Sequence, residues 1–461
     1  MLWRGGRRAG PPRPRRGTAV VLAAAVTLPA AGIAGPMVAG RYHDARNARL
    51  PLLSGGVAVE PDGGLTDVPG RTDRVALLSG SRVLRPGDPA GLPAAERRAA
   101  GQRAWLAAGT VPGRGTPWAD MTEDALLDLH TLTADLPGGA PGSTVAAWAG
   151  KWRYVWPRDA AFVAVALART GHPEDAAEVL GFLQTVQQPD GFFHARYLPG
   201  AAGPGDVPDG RGIQLDGTGW ALWATAQVAD RLPPARRAAV LAELRPLVER
   251  SSDAAVRLTA RGLPPVSRDY WELPEDRPTL GTAAPLAAGL AAAGPLLAEL
   301  GDGARRAAVG AAARRLGDAV RDAFGPEYPR RPGGGGRDAS VAFLLPPFAG
   351  AAEPPDHGVL AAFDAANDEL RQPAGGIAPG GAGWRDDGVA WTPETAVFAL
   401  AAAASGERTR AAGLLTWLSR HRTSIGTLAE KVRSDGRPGG PAPLAWTAAA
   451  TVLAAAELES G

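Results

Sequence analysis

Residues 157–188 read PRDAAFVAVALARTGHPEDAAEVLGFLQTVQQ. Two runs rich in Ala, Val and Leu, Pro157 to Arg169 and Pro173 to Gln188, flank Thr170-Gly171-His172. Their apolar positions recur at three and four, the spacing of a helix that buries one face. Each run opens on a proline, which suits a first helical turn because the amide hydrogen it lacks would have had no partner there. The stretch predicts a helical hairpin, and the hairpin recurs. After Gly171 come Ala176, Leu180, Phe182 and Leu183; after Gly406, at the same offsets, come Ala411, Leu415, Trp417 and Leu418. Each copy follows an apolar run, with Phe162 and Leu167 in one and Phe398 in the other. Repeated hairpins bury their apolar faces against neighbouring copies.

The same texture extends outward from about Pro93. Further helices are predicted over Glu123 to Asp135, Thr218 to Ala229, Pro234 to Arg250, Thr279 to Leu300 and Ala304 to Phe324. Others are predicted over Gly358 to Arg371, Thr392 to Ala404, Glu407 to Arg420 and Pro443 to Leu458. No comparable series of β runs appears, so the fold class is all-α, and the number of helices suits a closed double ring. Gly/Pro-rich connections such as Leu198 to Gly212 and Pro329 to Arg337 would lie at its rims, where binding residues gather. Before the helices, residues 41–110 read as a polar linker and a short β-compatible leader, Val57 to Val59 and Arg74 to Leu78, too short for a domain of its own. Residues 111–461 then form the main domain.

The 461 residues, 45% hydrophobic, suffice for a large core. Zero cysteines exclude disulfides, thiolate metal sites and a cysteine nucleophile. The six histidines, His43, His130, His172, His194, His357 and His421, show no zinc-site spacing. The net charge of +2 hides an uneven distribution, because six arginines between Arg4 and Arg16 precede the first acid, Asp44. They run into an uncharged apolar stretch, Thr18 to Ala39. Arginines followed by an apolar run are the pattern of an export signal or an N-terminal membrane anchor over residues 1–40. The expected location is extracellular or on the outer face of the cytoplasmic membrane, which argues against a nucleic-acid partner. A monomer is expected.

Four clusters carry chemistry. Trp152-Arg153-Tyr154-Val155-Trp156-Pro157-Arg158-Asp159 packs aromatic faces suited to sugar rings beside an Arg-Asp pair suited to hydroxyl groups. Its plainer reading is an ion pair bracing a helix start. Gln214 to Gly219 precedes Trp220 and Trp223; Asp216 is either a helix cap or an acceptor for a ligand hydroxyl. Asp269-Tyr270-Trp271-Glu272 sets a carboxylic acid against two aromatics, where lost hydration favours a protonated, proton-donating state. The same four residues also fit a helix start with Asp269 as N-cap and Glu272 closing a capping box. Glu430, beside Lys431, is a candidate second carboxylate, with Trp446 on the next helix, although such a neighbouring pair is usually a surface ion pair. Two carboxyl groups across a pocket are the apparatus of glycosidic cleavage, about 6.5–9.5 Å apart for inversion and about 5–5.5 Å for retention. Neither route calls for a metal or redox cofactor.

In their order and approximate separation, Trp156 to Ala160, Gln214 to Gly217, Asp269 to Glu272 and the Glu430 to Trp446 segment resemble the glucoamylase-like glycoside hydrolases of family 15. The resemblance runs from roughly Trp148 to the end. It implies an (α/α)₆ barrel and an inverting, exo-acting hydrolase of α-glucosidic bonds in oligosaccharides or polysaccharides. By that similarity Glu272 corresponds to the general acid and Glu430 to the general base. Arg158 and Asp159 match the pair that binds the terminal sugar, and Trp156 and Trp446, with Trp271 beside the acid, match pocket walls. Gly388 to Trp391 resembles a segment that opens a barrel helix. The chain departs from the family at Gly375-Gly376-Ile377-Ala378-Pro379, which lacks a sugar-binding arginine and aromatic; Arg385 stands nearby without being assigned that role. That departure supports an alternative expectation, a carbohydrate-binding envelope protein that keeps the barrel but has lost turnover.

Overall fold

A computed structural model describes residues 50–70, 75–134, 136–349 and 356–460. The N-terminal arginines, the apolar run Thr18 to Ala39 and the start of the linker lie outside the described residues. A hairpin of β1 (Gly56–Val59) and β2 (Leu65–Val68) comes first, followed by α1 (Leu92–Ala108) and α2 (Ala119–Thr131). The helical series continues with α3 (Pro157–Arg169), α4 (Pro173–Val186), α5 (Asp216–Ala229), α6 (Pro234–Glu243), α7 (Arg245–Leu258), α8 (Leu280–Glu299) and α9 (Gly303–Phe324). A hairpin of β3 (Pro329–Arg331) and β4 (Gly334–Arg337) leads into a 3₁₀ segment, Ala339–Leu344. Then come α10 (His357–Glu369), β5 (Ala390–Trp391), α11 (Thr392–Ala404), α12 (Arg408–Arg420), β6 (Lys431–Val432), β7 (Pro438–Gly439) and α13 (Ala445–Ser460).

Burial separates these helices into two rings. Helix α3 buries twelve of its thirteen residues, and α11 does the same. A helix apolar on every side needs neighbours on every side. Packing runs α3 to α5, α5 to α8, α8 to the 3₁₀ segment, on to α11 and α13, and from α13 back to α3. The inner ring is thus closed with six positions, one of them taken by the short 3₁₀ segment. Helices α2, α4, α7, α9, α10 and α12 pack outside it. Apart from α2, which buries eight of its thirteen residues, each buries a single stripe; α4, for example, buries Ala176, Val179, Leu180, Phe182, Leu183 and Val186. This is the (α/α)₆ barrel anticipated from the sequence, and both members of the repeated pair are inner-to-outer hairpins. Gly171 and Gly406 lie at their turns with φ of 92° and 82°, a left-handed conformation that glycine adopts without strain.

Close packing of the inner ring depends on small residues. A Cβ on Gly219 would stand 2.1 Å from the Pro285 carbonyl oxygen, and one on Gly289 would stand 2.6 Å from that of Gly219. Helices α5 and α8 therefore touch backbone to backbone. The centre of the barrel is filled by an aromatic cluster: Phe162 lies 5.2 Å from Trp220, 5.7 Å from Phe348 and 5.8 Å from Trp446 between ring centroids. Each such pair adds about 0.5–1.5 kcal/mol beyond the apolar area it buries.

Several sequence expectations change. The helix expected over Pro234 to Arg250 is two helices meeting at Leu244, because Pro246 has no amide hydrogen and its ring crowds the carbonyl one turn back. The second continues to Leu258, with Ser251 and Ser252 buried rather than ending it. Helix α1 was not anticipated. In the leader, β1 pairs with Leu65–Val68; of the β-compatible run Arg74 to Leu78, Arg74 lies outside the described residues and Leu77 makes an isolated bridge to Leu84. The leader also packs on the barrel: buried Arg82 pairs with Asp124 and Asp128, and the Thr423 hydroxyl donates to the Gly55 carbonyl oxygen at 2.6 Å.

Candidate active site

The Asp269–Glu272 stretch is not a helix start. Helix α8 begins at Leu280, after Thr279, and Asp269 to Glu272 form a tight turn in which the Glu272 amide donates to the Asp269 carbonyl oxygen at 2.8 Å. The Asp269 carboxylate accepts the Trp271 amide at 3.0 Å. Glu272 itself has φ of 59°, a left-handed conformation unusual for a side chain with a Cβ. Such a residue persists where its surroundings over-determine it. Here Arg330 supplies that constraint: its guanidinium lies 2.8 Å from Asp269, 2.8 Å from Asp338 and 2.6 Å from Glu275, and 3.5 Å above the Trp271 ring. The Tyr270 hydroxyl meets Asp338 at 2.7 Å. Gly380 lets Trp271 settle, since a Cβ there would be 2.2 Å from the indole ring.

Glu430 reaches the same space from the opposite side of the chain order. It directly precedes β6, which pairs with β5 and β7, and β5 runs straight into α11. The Glu430 amide donates to the Pro441 carbonyl oxygen at 2.9 Å, and its carbonyl accepts the Thr392 amide at 3.0 Å. Both acids line one cavity of ≈ 340 Å³, within the usual range for a small-molecule site. Its wall also includes Trp156, Arg158, Asp159, Trp271 and Trp446. The two acids are held alike: the Trp156 indole donates to Glu272 and the Trp152 indole donates to Glu430, each at 3.2 Å. Each also meets a cation, Arg211 at Glu272 and Lys431 at Glu430, the latter at 2.7 Å. The pairing of Glu430 with Lys431 anticipated from the sequence is present, but in the cavity wall rather than on the outer surface, and Lys431 rests 4.2 Å above the Trp391 ring.

Arg158 and Asp159 project from the first turn of α3, with Pro157 at its start. Arg158 lies 3.3 Å from Asp159, 3.5 Å from Asp216 and 4.7 Å above the Trp446 ring. Burial raises the Asp159 carboxyl to about 6 against the opposing pull of Arg158. Asp216 departs from expectation. It is the first residue of α5, makes no side-chain cap and does not line the cavity; it is buried behind Arg158, and that burial raises it to about 7. Arg153, in the same cluster as Arg158, turns away to Asp67 of β2.

Sequence reasoning missed several wall residues, among them Arg196, Arg211, Trp384 and Glu394. Arg196 stacks over Tyr154 and Trp156, with centroid distances of 4.7 and 5.0 Å, and Arg211 comes from the Gly/Pro-rich rim loop. Both are arginines in irregular backbone, which no local pattern distinguishes from surface charge. Trp384, edge-on to Trp271 at 4.5 Å, was equally hidden in a loop. Glu394 carried a usable signal, because it lies three residues beyond the Trp391 segment and within the first turn of α11. It is buried in the cavity wall with its Oε2 unpartnered. Burial raises its carboxyl to about 8, the charge of Glu430 adding to that, while a hydrogen bond to its own backbone amide and Arg158 oppose it.

The family description "Glycosyl hydrolases family 15" matches residues 123–372, more than half of the chain. The chain belongs to glycosyl hydrolase family 15. It is a glycoside hydrolase, acting on oligosaccharide or polysaccharide. No curated protein sequence matches this family 15 chain. Among solved structures it is similar to a wild-type glycosidase at 22% identity and a TM-score of 0.62, covering 74% of this chain and 97% of that one. It is also similar to the glucoamylase of Saccharomycopsis fibuligera at 14% identity and a TM-score of 0.61, covering 76% and 96%. A bacterial glucoamylase solved with acarbose matches at 17% identity and a TM-score of 0.60, covering 81% of this chain and 60% of that one. At these identities the likeness is one of fold.

Proposed function

We propose that the protein is an inverting, exo-acting hydrolase of α-glucosidic bonds, with Glu272 as general acid and Glu430 as general base. The observation that carries this reading is that two acids 158 positions apart line one cavity with Trp156 and Trp152 anchoring one oxygen of each. An anchored carboxyl group has a fixed aim, which is what proton transfer to a leaving oxygen and from an attacking water requires. Trp156, Trp271 and Trp446 offer ring faces to a sugar, and Arg158 with Asp159 offers charged partners to its hydroxyl groups. Asp216 acts at one remove, holding Arg158. Glu272 is ion-paired with Arg211, and the general-acid role requires that pair to open. The mainly helical body from residue 111 onward is the catalytic unit, and the arginines and apolar run at the N-terminus support export or anchoring at the outer face of the membrane.

Glu272→Gln and Glu430→Gln test the assignment. Each variant is expected to lower kcat on maltose or a longer α-glucan by about 10²–10⁴-fold with its folding intact, the usual worth of a general acid or base. Near-normal turnover by either variant would overturn the role given to that residue.

A further inference from the structure

Not every cation in the cavity wall has a carboxylate partner among the described residues. Arg158 is spent on Asp159 and Asp216, Lys431 on Glu430, and Arg211 on Glu272. Arg196 pairs with Asp209. The remaining acid of the wall, Glu394, is held toward its neutral form by burial. Two cations are left, Lys151 and Arg385, both exposed and both on the wall. Among the described residues neither is ion-paired with a carboxylate, and the contact shown for the Arg385 guanidinium is the Trp384 ring, 5.6 Å away. Asp386 and Asp387 follow Arg385 in the chain but are not part of the wall.

A neutral α-glucan gives such a wall nothing to neutralise. Unpaired cations in a concave, low-dielectric site raise the local concentration of anions and fix their position on arrival. The exposed positions of Lys151 and Arg385 put them toward the open side of the cavity, away from buried Arg158 and Asp159. We infer that the preferred substrate is an α-glucoside whose leaving group carries an anion, carboxylate or phosphate, received by Lys151 and Arg385 at the mouth of the cavity. This rests on the hydrolase reading above and narrows its substrate class. No new bond chemistry is involved: the glycosidic bond is cleaved by water as before, and the anionic group leaves with the aglycone.

The test compares matched pairs at low salt: maltobionate against maltitol for a carboxylate, and maltose 1-phosphate against maltose for a phosphate. At least one anionic member is expected to exceed its neutral counterpart in kcat/KM by about tenfold, the worth of two exposed charge pairs. Which pair shows it identifies the anion. The preference is expected to shrink in 1 M NaCl, where charges are screened beyond about 3 Å. It is also expected to fall toward unity in Lys151→Gln/Arg385→Gln. Ratios at or below one in both pairs, or a preference indifferent to the double variant, would overturn the inference. If no member of either pair is hydrolysed, the hydrolase reading fails instead. Calorimetric binding of the same pairs then decides the inference, with tighter binding of an anionic member supporting it and equal or weaker binding of both overturning it.

Discussion

Replacing Arg330 by methionine removes the cation that holds the turn bearing Glu272. The guanidinium and the three carboxylates it meets, Asp269, Glu275 and Asp338, are all fully buried. In Arg330→Met, Glu275 keeps Arg331 at 2.5 Å, whereas Asp269 and Asp338 have no other ion pair among the described residues. Breaking a buried pair from one side costs about 3–5 kcal/mol, because the partner's charge stays in a medium that cannot solvate it. That is a large share of the roughly 5–15 kcal/mol by which a domain is stable. Urea unfolding followed by tryptophan fluorescence measures the loss in Arg330→Met, Asp269→Asn and the double variant. The single arginine variant is expected to lose about 3–5 kcal/mol. The double variant is expected to lose less than the sum by at least about 1.5 kcal/mol, because neutralising Asp269 removes one stranded charge. Catalytic efficiency should fall with it, since Trp271 loses the group stacked on its face and Glu272 is the next residue. A loss under about 1 kcal/mol with strictly additive variants would refute the claim that this ion cluster holds the turn.

Two further outcomes follow from the wall of the cavity. Glu394 has a folded pKa raised from 4.5 to about 8, so the folded state holds its proton more tightly than the unfolded chain does. Its contribution to stability is complete below pH 4.5 and is lost as pH rises toward 8, at up to about 1.4 kcal/mol per pH unit. Glu394→Gln should therefore gain thermal stability relative to wild type at pH 8 compared with pH 5, and an equal difference at both pH values would contradict the assignment. Gly380→Ala places a methyl group 2.2 Å from the Trp271 ring. It should cost about 1–3 kcal/mol by overpacking and lower kcat/KM as the Trp271–Glu272 turn shifts; unchanged kinetics would mean that the turn tolerates displacement.

The parts of this protein legible in its sequence are those encoded locally. The repeated hairpins showed because apolar spacing within α3, α4, α11 and α12 is a property of short windows, and Gly171 and Gly406 mark the same turn twice. The closure of the ring was not local: α13, the last helix, meets α3, the first of the inner ring. Proline positions were informative at helix starts such as Pro157 and misread at Pro246, where a second proline restarts a helix already under way. In the site, Glu272 and Glu430 stood out beside tryptophans, but the left-handed backbone of Glu272 and its tether to Arg330 depend on residues 58 positions further on. Asp216 illustrates the reverse error. Its neighbours suggested a binding rim, whereas its burial behind Arg158 follows from how α3 and α5 pack. Glu394 was overlooked because an acid in a first helical turn has an ordinary explanation in the helix dipole.

The proposed mechanism needs Glu272 and Glu430 to act across one gap on a sugar and a water. Following the hydrolysis of maltose by proton NMR before mutarotation sets in tests this most directly. β-Glucose as the first sugar released is the predicted result, and α-glucose released first would contradict it.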